Sequence, residues 1–289
     1  QHEIASIAEE MSSALRRAAY SPIIWDMIDY ACGLLDSEGQ LIAQAPTIPA
    51  QLGIMSTAFR HITQTIPISG WRAGDIIICN DPFAGCSHTP DIVLFSPVIV
   101  GGRLVAVTST VAHHVDVGGP VPGTENATAL EVFGEGLILP PMKLYDRGRP
   151  DRNLLAVIAR NLRDPAATTG DLNAQIAACR TGERRIADLV EKYGVEGFLA
   201  RKSAVLDHSH TFIRAALSPY KGKSCRAEIL IEDDAASAEP SLEDRLKARD
   251  LAGALAEWRA LPEAGRKVSA DWAAGLEARV AVDNALAAS

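Results

Sequence analysis

Residues 75–112 hold three short runs rich in Ile and Val, and this block constrains the fold more than any other part of the chain. The runs are Asp75 to Cys79, Ile92 to Val100 and Leu104 to Ala112; each has the length and the β-branched content of a strand rather than of a helix. Gly101-Gly102 leaves room only for a tight turn between the last two, so they are expected to pair as an antiparallel hairpin. Strands of this kind need helices or a second sheet to cover them.

The flanks supply helices. From His2 to Ala19, Ile4, Ile7, Met11, Leu15 and Ala18 recur at spacings of three and four and define one apolar face. Residues 27–45 read as a hairpin turning at Ser37-Glu38-Gly39, and a helix is expected from Gly53 to Gln64. Gly and Pro dominate 116–150, which is expected to be mostly loop with a short strand at Leu137 to Leu139. Leu154 to Tyr193 is helical in pattern, broken at Arg163-Asp164-Pro165, with Thr169 to Asp171 as the expected cap of the longer second helix. A further helix is expected over Val195 to Leu217 and a strand over Ser224 to Glu232. The class is therefore α+β, with helices around a strand-rich core. The expected domains are residues 1–232, a linker over 233–241 that is rich in Ala, Ser, Asp, Glu and Pro, and an Ala-rich helical hairpin over 242–289.

Composition excludes several functions. With a net charge of -8, no basic tract offers a surface for nucleic acid. No apolar run approaches the length of a membrane span, and residues 1–17 have neither a basic n-region nor an apolar h-region, so the expected compartment is the cytoplasm. The five cysteines contain no CxxC pair and suit reduced thiols better than a disulfide framework.

Chemistry concentrates between the strands. Asn80 to Asp91 is a loop containing His88-Thr89-Pro90-Asp91, and a His and an Asp at this spacing can converge on one cation when the backbone turns. The same pair also reads as a hydrogen-bonded turn. A second cluster, His113-His114 with Asp116, ends the strand that returns from the Gly101-Gly102 hairpin, which brings His113 or His114 beside Asp91. Adjacent histidines on a strand face opposite ways, so one of them is the metal-ligand candidate and the other a supporting group. Imidazole and carboxylate together suit one divalent ion such as Zn, Mn or Fe.

The segments Ile7 to Met11, Asp29-Tyr30-Ala31-Cys32, Gly74 to Pro82 with His88 and Asp91, Ala112-His113-His114 with Asp116 and Gly118-Gly119, Glu135-Gly136 with Pro140-Pro141, and Asn161 to Arg163 with Gly170 to Leu172 occur in an order that resembles the hydantoinase B and 5-oxoprolinase family. The likeness covers residues 1–232, the amino-terminal part of that family. It implies a metal held by Asp29, His88, Asp91 and His113, with Asp29 implied by the resemblance alone. His114, Asp116 and Glu135 are then either hydrogen-bonding or proton-relay groups around the metal, or loop scaffolding. It further implies a hetero-oligomer in which a hydantoinase A-like, ATP-binding subunit phosphorylates a cyclic amide (hydantoin, oxoproline or lactam), which metal-activated water then hydrolyses. Consistently, the sequence contains no G-x-x-x-x-G-K-[ST] motif. The family's other branch implies an alpha subunit of an ATP-dependent carboxylase acting on acetone- or acetophenone-type ketones.

Two departures qualify the likeness. Gln51 stands in Ile48-Pro49-Ala50-Gln51-Leu52-Gly53, where relatives commonly carry His. Past Glu232 the family's further region gives way to an Ala-rich segment, and 251–288 resembles the carboxy-terminal helices of bacterial mitofilin-like proteins. A shortened, non-catalytic metal-binding or partner-binding paralogue is thus the alternative to an enzyme subunit.

Overall fold

The structure, a computed structural model, describes residues 2–121, 126, 129–218, 221, 256 and 259. The chain divides into two compact units, Gln1–Lys221 and Gly222–Ser289, and the elements below belong to the first. The strand expected over 224–232, the linker over 233–241 and the helical hairpin over 242–289 lie outside the described residues, Ala256 and Arg259 apart.

The elements are α1 (His2–Ala18), α2 (Pro22–Trp25), β1 (Tyr30–Leu35), β2 (Leu41–Gln44), α3 (Pro49–Thr65), β3 (Ile76–Cys79), β4 (Asp91–Val100), β5 (Arg103–His113), β6 (Met142–Asp146), β7 (Arg149–Pro150), α4 (Arg152–Arg160) and α5 (Pro165–Leu217). The seven strands among the described residues form one antiparallel sheet in the order β2-β1-β5-β4-β3-β6-β7. The α+β class stands. Among the described residues no helix is long and apolar enough to cross a membrane.

The period of two along a strand sorts the core into layers. Odd-numbered Ala31, Leu35, Val93, Phe95, Val107 and Val111 pack with Leu52, Met55, Phe59 and Ile62 of α3. Even-numbered Cys32, Leu34, Ala106 and Ala112 pack with Ile4, Ile7, Met11 and Leu15 of α1 and with α5, while Ile92 and Leu94 pack with Leu154, Ile158, Leu172 and Cys179. The sheet is therefore sandwiched, with α3 on one face and α1, α4 and α5 on the other.

Three expectations need correction. Leu137 to Leu139 forms no strand; its backbone is held instead by Asn80, whose Nδ2 donates to the Leu137 carbonyl at 2.9 Å and whose Oδ1 accepts from Leu139 N–H. The strands of this region are β6 and β7, which the Gly and Pro content of 116–150 conceals: Met142–Asp146 has little β-branched content of its own and is made a strand by pairing with β3. α3 starts at Pro49, a full turn before Gly53, because proline is well suited to the first turn.

The third correction concerns the start of α5. Its cap is Asp164, whose carboxylate accepts from Ala167 N–H at 3.0 Å, not the Thr169 to Asp171 segment. Asp171 is wholly buried and accepts from the backbone N–H groups of Tyr20 and Ser21 at 2.6 and 3.1 Å, tying the end of α1 to α5. Asp164→Ala should accordingly cost about 1 kcal/mol in denaturant unfolding, with Thr169→Ala costing less; equal losses would contradict this cap. The helix expected over 195–217 continues α5 beyond Gly194, where φ 72 and ψ 161 break the helical path.

At the start of β3, the buried Asp75 accepts from Arg72 N–H at 2.8 Å and from Arg147 N–H at 2.7 Å, and pairs with Lys143 Nζ at 2.8 Å. Arg147 has φ 50 in the β6–β7 turn, so this carboxylate anchors a left-handed residue.

Candidate metal centre

Asp29, Asp91 and His113 are odd-numbered positions at one end of β1, β4 and β5, which places them on the face that α3 covers. The pairing sets them side by side: Asp91 is opposite His113 across the β4–β5 hairpin, and His113 N–H donates to the Asp29 carbonyl at 3.0 Å. His88 arrives from the loop before β4. That loop turns through a short 3-10 helix, Pro82–Ala84, capped by the Asp81 side chain and closed by Gly85 at φ 88. A Cβ on Gly85 would lie 2.9 Å from the His61 ring and 3.1 Å from the Ala58 backbone, so the loop can lie this close to α3 only with glycine there.

His88, Asp91 and His113 offer ligand atoms within 4.8 Å of one another. His88 Nε2 is 3.1 Å from His113 Nδ1, and that nitrogen is 3.3 Å from Asp91 Oδ1. Ligands about 2.0–2.1 Å from a tetrahedral ion stand about 3.3 Å apart, so these spacings suit one small cation. Asp29 is set farther out, its Oδ2 lying 3.9 Å from His113 Nδ1.

Whether the residues fit a metal is tested by Asp91. Its Oδ2 accepts from Ser87 Oγ at 2.5 Å, but the buried Oδ1 receives no hydrogen bond and has only the His113 imidazole near it, with Nδ1 at 3.3 Å. An unpaired buried carboxylate oxygen costs on the order of 1–3 kcal/mol or more. A cation facing it removes that cost, and the donor set of two imidazoles and a carboxylate is one that Zn, Mn or Fe accepts. The residues fit.

The electrostatics are uneven. Burial pushes the Asp91 carboxyl up, but the adjacent His113 imidazole, the hydrogen bond from Ser87 and the charge of His88 outweigh it and hold it below the usual range. At Asp29 burial wins, reinforced by the charge of Asp91, and its carboxyl is raised despite His113, His88 and Gln51. Ile28, just before it, has φ 59, a conformation that a β-branched residue rarely adopts. Hydrogen bonds from Asp29 N–H to the Ile23 carbonyl and from Tyr30 N–H to the Ile28 carbonyl fix that backbone and hence the direction from which Asp29 enters.

The other expected site residues lie elsewhere. His114 is wholly buried on the α5 face, its Nε2 2.8 Å from Gln175 Oε1, and burial lowers its pKa. Asp116 accepts from Gly118 N–H and from the backbone and guanidinium of Arg163, bracing the loop after β5. Glu135 meets the His88 loop through its carbonyl, which accepts from Thr89 Oγ1 at 2.7 Å. Two further residues reach the site without being site candidates in sequence: Ser87, which bonds Asp91, and Gln51, whose Nε2 donates to Asp29 Oδ1 at 2.8 Å. In sequence Gln51 stands out only as a departure from relatives. Position 87, one residue before His88 and four before Asp91, is the available signal for the first.

Residues 1–254 match the Hydantoinase B/oxoprolinase family, further than the 1–232 over which the sequence motifs carry the resemblance. The chain belongs to the hydantoinase B/oxoprolinase family. It is 39% identical over 213 residues to an uncharacterized protein of Methanocaldococcus jannaschii, covering 73% of this chain and 38% of that one. It is 31% identical to a Pseudomonas sp. (strain NS671) protein whose name gives it as a putative D-/L-hydantoinase component, covering 83% of this chain and 41% of the relative. Among solved structures, the ATP-dependent caprolactamase from Pseudomonas jessenii superposes with a TM-score of 0.69 at 30% identity, over 81% of this chain and 40% of that one. The chain thus spans about two fifths of the length of these relatives.

Proposed function

We propose that this chain contributes the metal centre of an ATP-dependent hydrolase of cyclic amides such as hydantoin, oxoproline or a lactam. The observation that carries the proposal is the convergence of His88, Asp91 and His113, with Asp29 beside them, around an Asp91 Oδ1 that no hydrogen bond satisfies. Support for the reaction class comes from the family and from the hydantoinase and caprolactamase relatives.

When bound, a divalent ion supplies Lewis-acid chemistry, polarising a carbonyl and acidifying water towards a pKa of about 7. The chain's own part is to hold and orient. His113 and Asp91 are rigid because both sit on paired strands, and Ser87 fixes the Asp91 carboxylate. The His88 side chain is 36% exposed, so the cluster is open on the loop side, where a substrate can approach. Activation of the amide by ATP is assigned to a hydantoinase A-like partner, which makes the working enzyme a hetero-oligomer in the cytoplasm.

Copurification of the chain with such a partner, loaded with Zn2+ or Mn2+, should give ring opening of hydantoin, 5-oxoproline or caprolactam that requires ATP and is lost in His88→Ala. A loaded complex that binds metal but opens none of these rings would favour the non-catalytic, metal-binding alternative.

A further inference from the structure

Asp29 stands farthest out of the four candidate ligands, yet its carboxylate is not free. Oδ1 accepts from Gln51 Nε2 at 2.8 Å, and only Oδ2 is turned toward His113. Gln51 is itself 3% exposed and stands in the first turn of α3, a 17-residue helix pinned to the sheet by Leu52, Met55, Ala58, Phe59 and Ile62. Its other amide atom, Oε1, is buried with no hydrogen-bond partner. A structural glutamine would be expected to satisfy both ends, because a buried orphan acceptor is costly. Here the side chain is committed at one end only, and that end holds a carboxylate at the edge of the cluster.

Amide donation to one oxygen of a carboxylate occupies a lone pair of that oxygen and fixes the plane of the group. Small ions that close a site with about four ligands, as zinc does, are content with one carboxylate oxygen. Ions that collect about six to eight oxygens, as calcium does, take carboxylates through one oxygen or through both, so a carboxylate free to offer both serves them better. We infer that Gln51 is the positioning residue of this centre, fixing Asp29 as a one-oxygen ligand and thereby favouring small, low-coordinate ions over large, oxygen-seeking ones. The inference rests on the metal centre proposed above. It requires no movement of α3, since the helix already delivers the amide where it acts.

The test uses the purified chain, freed of metal by a chelator, and titrates Zn2+ and Ca2+ separately against a chromophoric competitor. The variants are Gln51→Met, which keeps length and removes the donor, and Gln51→His, which restores an N–H. Wild type should bind one Zn2+. Gln51→Met should weaken Zn2+ about tenfold and leave Ca2+ unchanged or tighter, so that the ratio of the two affinities falls, with Gln51→His recovering most of the loss. With Co2+ as a spectroscopic stand-in, Gln51→Met should show the weaker visible absorption of a higher coordination number. Melting of the metal-free Gln51→Met protein should be unchanged or raised, because the substitution removes an unpaired buried acceptor.

An unchanged Zn2+ to Ca2+ ratio in Gln51→Met, with wild type binding Zn2+ normally, overturns the role of Gln51 and leaves the centre standing. So does a loss of both ions in proportion to a lowered melting temperature of the metal-free protein, which would make Gln51 a packing residue. Wild type that binds neither ion, indistinguishable from His88→Ala, overturns the centre itself and the inference with it.

Discussion

His113→Ala is expected to lower divalent-metal affinity by at least about a hundredfold, more than a change at a residue that only supports a ligand would. His113 is the hub of the cluster: its Nδ1 lies 3.1 Å from His88 Nε2, 3.3 Å from Asp91 Oδ1 and 3.9 Å from Asp29 Oδ2. Removing the ring takes away one ligand and leaves Asp91 Oδ1 buried beside a cavity. The neighbouring His114→Ala is the informative contrast. That ring faces α5 and bonds Gln175, so its loss should lower stability while leaving the affinity of the folded protein nearly unchanged. Competition titration and thermal melting of the two variants separate the effects. Equal metal affinities in His113→Ala and wild type would mean that the cluster is a polar corner of the core and not a metal centre.

Asp75→Ala should be the most damaging single change away from the centre, destabilising the protein by about 3 kcal/mol. The carboxylate is fully buried and serves two backbone N–H groups and one ammonium. Without it, the Arg72 and Arg147 N–H groups lose their acceptor, and Arg147 must hold φ 50 with no carboxylate anchor. Lys143 suffers less, because its side chain is 29% exposed and keeps Asp146 at 2.9 Å. Asp75→Asn preserves the shape but offers one acceptor oxygen in place of two, so an intermediate loss is expected. Asp75 and the His88 loop are attached to opposite ends of β3, so metal binding by the folded Asp75→Ala protein should be close to that of wild type. Urea unfolding measures the first effect; a loss below about 1 kcal/mol would show that water replaces the carboxylate at little cost.

The parts of this fold that can be read from sequence are those whose pattern is local. The Gly101-Gly102 turn and its two flanking apolar runs are enough to bring Asp91 to His113, and the period of two is enough to send His113 and His114 to opposite faces. Asp29 is different: nothing near it says that β1 will lie against β5, a pairing made far along the chain, and only family resemblance brings it into view. β6 escapes for a related reason, since its strand character comes from β3 and not from its own residues. The cap of α5 is misread because Thr169-Gly170-Asp171 has the composition of a helix start, whereas Asp171 is drawn into the core to receive the end of α1. Gln51 is legible in sequence only against relatives, and its bond to Asp29 exists only once α3 is docked on the sheet.

The order of strands also decides which backbone groups this sheet leaves unpaired at its edges. The two longest strands, β4 and β5, with 10 and 11 residues, are interior and paired on both sides. Among the described residues the strands at the margins are β2, with four residues, and β7, with two, of which one is Pro150. Short margins, one of them lacking an amide hydrogen at proline, present a poor template for a further strand. The long Ile- and Val-rich stretches of β4 and β5 thereby have their backbone groups already spent on β1, β3 and each other.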